Sequence, residues 1–150
     1  MAITRNTRDL YRMTPAKWAG VALLALYFIA GAAGHFLYTD DLAAIVPPWM
    51  PYPRETVLAT GALEIVFAAL LFVAKARPRI ALWISVYCLA VLPALFHTLS
   101  NNIPLFGQPV LPAVLYGGIA LQPGLIALAL WAANGKSHLV RYGLSGLCRG

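Results

Sequence analysis

Residues 56–74 read TVLATGALEIVFAALLFVA, an apolar run broken by a single charge at Glu64. A stretch of this length and composition predicts a membrane-spanning helix. A carboxyl group in its middle is costly in hydrocarbon, so it is expected to face a bundle interior and to have a task there. Working outward, three more such runs flank this one: 18–38, 80–99 and 110–133. The pattern predicts an all-α protein, a four-transmembrane-helix antiparallel bundle with spans near 15–38, 54–74, 79–99 and 110–133. These runs take up most of the 150 residues and leave too little chain for a separate soluble domain. Residues 1–150 are therefore read as one membrane domain.

The formal charge is +6, carried by 11 Lys and Arg against 5 Asp and Glu. Its distribution argues against nucleic acid as a partner and for membrane lipids. Arg5, Arg8, Arg12 and Lys17 precede the first run, Lys75, Arg77 and Arg79 separate the second and third, and Lys136, Arg141 and Arg149 follow the fourth. Only Arg54 lies in a connection on the other side, which instead holds Asp40, Asp41 and Glu55. The positive-inside rule then places both termini in the cytoplasm of a bacterial inner membrane, with the basic surface against anionic headgroups. The first run is longer than a signal-peptide core and reads as a retained span. Cys88 lies inside the third run and Cys148 in the tail, with no C-x-x-C spacing, so no disulfide framework or thiol–disulfide chemistry is expected.

Prolines punctuate the helix starts: Thr14-Pro15 as cap and first residue, Pro53, Pro78, and Pro109 or Pro112. Asn134-Gly135 predicts the last stop. The short basic turn after the second run predicts that the second and third helices are antiparallel neighbours. The connection 39–54 contains Leu42-Ala-Ala-Ile-Val46 and Pro47-Pro-Trp-Met-Pro51, too apolar for a solvated loop. It is expected in the interface, with Trp49 and Tyr52 at headgroup depth, either as an anchor or as a lid over the outer mouth. The basic stretch before Thr14 and the tail from Lys136 are expected on the inner leaflet.

Few polar side chains fall within the runs, and the candidate ligand-binding residues are His35, Glu64, His97, Gln122 and Thr60. Measured from the outer helix ends, Glu64 lies roughly 14 Å down and Gln122 roughly 15–18 Å down, with His35 and His97 only about 3–5 Å below the surface. This predicts an inner pair, Glu64 with Gln122, below an outer pair, His35 with His97, around one outward-opening cavity. Gly31, Gly34 and Gly61 provide room for close approach. Pro93, one turn before His97, frees the carbonyl of Leu89 and predicts a kink. Two histidines and a carboxylate form a known metal set, but the depths separate Glu64 from the histidines by about 10 Å. No metal site is therefore assigned; haem or a metal held by His35 and His97 alone is the alternative. Tyr27, Tyr87, Phe96, Tyr116 and Trp131 are read as packing and interface residues. Ser-nucleophile, phosphate-loop and zinc-protease motifs are absent from the sequence.

In their order, these motifs resemble the DoxX-like family of small four-helix membrane proteins. The resemblance rests on Gly31-Ala-Ala-Gly-His35-Phe36, Val46-Pro-Pro-Trp49, Gly61-Ala-Leu-Glu64-Ile65, Leu92-Pro-Ala94 and Leu121-Gln122, and it extends over roughly 17–133. It implies a four-helix bundle. It also implies a link to redox complexes, because some members are subunits of quinone-reducing sulfur-oxidising complexes and others assist redox maturation or oxidative-stress complexes. The chain departs from the pattern at Leu95 and His97, where relatives often carry Asn and Tyr, and at Gly118, where they often carry Arg. The combined expectation is a binding or accessory subunit holding a small lipophilic ligand, a quinone first, beside a redox-protein partner or a second copy of itself. A membrane oxidoreductase with haem or metal on the histidines and a purely structural partner are the competing expectations.

Overall fold

A computed structural model of the chain describes residues 13–133. The basic N-terminal stretch, the Asn134-Gly135 stop and the tail with Cys148 lie outside the described residues. Five helices are present and no strands among those residues: α1 (Pro15–Leu37), α2 (Thr39–Ala43), α3 (Pro53–Leu70), α4 (Arg77–Asn101) and α5 (Pro112–Ala133). Three of them, α1, α4 and α5, are long and apolar enough to cross a membrane. The fourth long helix, α3, carries Arg54, Glu55 and Glu64 among its 18 residues. Side chains such as Leu23, Leu26, Ile29, Leu82, Trp83, Val86 and Leu89 stand more than half exposed around the outside. An apolar exterior of this extent is that of a membrane protein.

The helix starts follow from proline chemistry. Proline has no N–H to lose in a first turn, and it occupies that turn in α1, α3 and α4 and opens α5 at Pro112. Thr14 caps α1, its hydroxyl accepting from the Lys17 N–H at 3.4 Å. α3 ends at Leu70, four residues short of the apolar run. Arg77 explains the early stop. Its guanidinium is buried and donates to the carbonyls of Leu71 at 2.7 Å and Phe72 at 3.4 Å, pinning the chain in a tight corner beneath Trp18.

α1 packs along α3, α4 packs along α5, and α1 also contacts α5. α3 and α4 are joined by the short corner, yet their backbones come close over only a small stretch. They are neighbours as the short turn predicts, held apart over most of their length. Side chains bridge the space between them, and that space becomes the cavity. At the end where α1 begins, the bundle is tight: Val21, Leu24, Phe28, Leu71, Ile84 and Ala129 are buried together. Gly20 allows α5 to close on α1 there, since a methyl at Gly20 would stand 3.0 Å from the Trp131 ring. Phe28, Phe67 and Tyr87 meet edge to face at 5.7–6.2 Å and form a floor above this core.

Candidate functional site

Above the aromatic floor lies a cavity of about 390 Å³ bounded by all four long helices and the segment after α2. That volume falls within the range of small-molecule sites. Leu42, Ile45, Val46, Pro47 and Met50 line it, so the apolar connection forms part of its wall. Trp49 and Tyr52, at 68% and 73% exposed, point away from it.

The α1–α3 register builds the polar wall. Phe28 meets Phe67, Gly31 faces Glu64, and His35 faces Gly61. These pairs describe one antiparallel alignment in which α3 extends about a turn beyond the end of α1. Two glycines make it possible. A methyl at Gly31 would stand 2.7 Å from Glu64 Oε2, and one at Gly61 would stand 2.8 Å from His35 Cβ. The helices therefore touch backbone to side chain where the polar groups sit.

Glu64 is buried, 4% exposed, and lines the cavity. Tyr87 donates its hydroxyl hydrogen to Glu64 Oε1 at 2.6 Å. Glu64 Oε2 is buried without a hydrogen-bond partner, and His35 Nε2 stands 3.7 Å away. The other ring nitrogen, Nδ1, lies 3.4 Å from Thr60 Oγ1, which itself donates to the Val57 carbonyl at 2.8 Å. Tyr87, Glu64, His35 and Thr60 thus form a chain of polar side chains across α4, α3 and α1.

Several expectations change here. Helix ends taken as flush placed Glu64 about 10 Å below His35. The overhang of α3 removes about one turn of that separation, and the two side chains reaching toward each other close the rest. Gln122 lines the same cavity and is buried, but it donates to its own helix, to the Gly118 carbonyl at 3.3 Å, and makes no bond to Glu64. His97 lies elsewhere: its Nδ1 is 3.4 Å from the Ile45 carbonyl, and it is absent from the cavity lining. The two histidines thus have different partners, His35 meeting Glu64 and Thr60 and His97 meeting the Ile45 carbonyl.

Tyr87 is the residue that sequence reasoning passed over. A tyrosine within an apolar run reads like any packing aromatic, and only its position opposite Glu64 distinguishes it. Pro123, directly after Gln122 in α5, was also passed over; it removes a backbone donor within the helix beside the cavity. Tyr116, by contrast, is 60% exposed and faces outward.

No curated protein and no solved structure matches the chain. A family model described as "Domain of unknown function (DUF8561)" matches residues 24–133, from the middle of α1 to the end of α5, so that all of the polar wall lies inside it. The chain belongs to this DUF8561 family.

Proposed function

We propose that this chain is a membrane-embedded binding subunit that holds a small, neutral, lipophilic ligand between its helices, with a quinone as the leading class. In this reading α3 crosses the bilayer with α1, α4 and α5, giving four spans and two cytoplasmic termini in a bacterial inner membrane. The ten-to-one partition of Lys and Arg between the two sides supports that orientation. One observation carries the functional reading: a largely apolar cavity of about 390 Å³ with a buried, unpartnered carboxyl oxygen on its wall. An oxygen-bearing ring fits such a space, its body against Val57, Val91 and Leu125 and its polar edge at Glu64 and His35. The DoxX-like resemblance adds the redox connection, with the ligand passing to or from a partner enzyme in the same membrane.

The test is a titration of decylubiquinone into the detergent-purified protein. A lost hydrogen bond to a buried group is worth about 1–2 kcal/mol, so Glu64→Gln and His35→Ala are each expected to weaken binding roughly tenfold. Unchanged affinity in both variants overturns the assignment.

A further inference from the structure

The polar wall has a hydrogen count that can be worked out from its contacts. Tyr87 supplies the hydrogen to Glu64 Oε1. Thr60 has one hydroxyl hydrogen and gives it to Val57. With that hydrogen on Val57, Thr60 Oγ1 meets His35 as an acceptor, which assigns a hydrogen to His35 Nδ1. That leaves His35 Nε2 and Glu64 Oε2 facing each other at 3.7 Å, with Oε2 buried. Two bare acceptors at that spacing would repel, and two hydrogens would crowd the gap and leave a net charge. A single hydrogen between them avoids both, as carboxylic acid with imidazole or as carboxylate with imidazolium. Both forms are neutral overall, which a low-dielectric interior favours.

We propose that Glu64 and His35 share one proton across Oε2 and Nε2, and that this neutral pair receives the neutral oxygen function, carbonyl or hydroxyl, of the ligand. The second half of this statement rests on the ligand-binding role proposed above; the shared proton does not. The gap is wider than the 2.7–3.2 Å of a good hydrogen bond, so the proton, on whichever atom carries it, makes no close bond within the pair and is free to be offered to a third atom. A carbonyl oxygen entering from the cavity accepts it. A hydroxyl accepts from one partner and donates to the other. The other polar groups lining the cavity are Tyr27 from α1, Thr56 and Thr60 from α3, Tyr87 and Cys88 from α4, and Gln122 from α5, and among the described residues no Lys, Arg or Asp lines it. Beyond the neutral pair itself a charged ligand would find no Lys, Arg or Asp to balance it, which favours a neutral one.

The experiment uses the full chain in lipid nanodiscs, with ¹⁵N-labelled histidine and ¹³C-labelled glutamate, read by NMR. Without added ligand, His35 is expected to show a protonated Nδ1. The Glu64 carboxyl signal is expected to shift in His35→Gln and to shift separately in Tyr87→Phe. A bare Nδ1 in the wild type, which needs no variant to fold, overturns the shared proton, as does a Glu64 signal indifferent to His35→Gln. Added decylubiquinone is then expected to move the His35 and Glu64 signals together, and decanoate to leave them in place. If decylubiquinone moves neither, the ligand half fails while the proton pair stands. If decanoate moves them equally, the selection for neutral ligands fails.

Discussion

At the scale of single residues, the site depends on two glycines as much as on its polar groups. Gly31 and Gly61 let α1 and α3 approach until Glu64 and His35 lie against the opposing helix, and a methyl at either position meets an atom inside 3.0 Å. Gly61→Ala presses on His35 Cβ, which cannot swing aside without moving α1, so it is expected to lower thermal stability in detergent by about 1–3 kcal/mol. Tyr87→Phe keeps the ring in the aromatic floor but removes the hydrogen donated to Oε1, with an expected loss of about 1–2 kcal/mol in the same melt. Glu64 was legible in the sequence because a charge in an apolar run stands out whatever surrounds it. Tyr87 was not, because an aromatic in a membrane helix has a packing role by default, and only the fold reveals what its hydroxyl meets. The pairing of His35 with Glu64 was hidden for a different reason: depth counted from helix ends assumes the ends are level, and α3 overhangs α1.

At the scale of elements, the corner between α3 and α4 and the apolar connection after α2 decide the shape of the cavity. Arg77 closes the corner by donating to the carbonyls of Leu71 and Phe72 and stacking over Trp18, with its centre 5.1 Å from the ring. Arg77→Gln cannot reach both carbonyls, and a drop of about 1–3 kcal/mol in stability is expected on thermal unfolding. The sequence marked Arg77 only as one positive charge of the basic turn, since a topology signal and a structural cap look alike in composition. Apolar content did single out the connection 39–54, and Leu42, Ile45, Val46, Pro47 and Met50 within it line the cavity. The ion pair of Arg54 with Asp40 at 3.0 Å is exposed and adds little to holding it down. The segment is held mainly by its apolar contacts. Replacing Leu42 and Ile45 together by Ser is therefore expected to raise the dissociation rate of bound decylubiquinone several-fold with little change in the helical circular dichroism. An unchanged rate would make the segment an anchor and not a lid.

At the scale of the whole molecule, packing divides the bundle into a tight half and a hollow half. Gly20, Ala129 and Ala132 draw α1 and α5 together at one end, while the sparse backbone contact between α3 and α4 leaves room at the other. The apolar runs and their prolines made the helices readable. The order of packing around the bundle was not readable, because all four long helices are apolar over much of their surface and periodicity barely marks an inner face. The charge asymmetry predicts that reporter fusions after Gly150 report the cytoplasmic side and fusions within 102–108 the opposite side. Glu64 remains the centre of the account: an acid within the bundle, at the wall of a ligand-sized space. An experimental density map of the protein in nanodiscs, prepared with decylubiquinone, tests this most directly. The account predicts a planar density in the cavity with an oxygen in hydrogen-bond reach of Glu64 and His35. A map showing Glu64 turned to the lipid, or the four helices collapsed onto one another with no space between them, would contradict it.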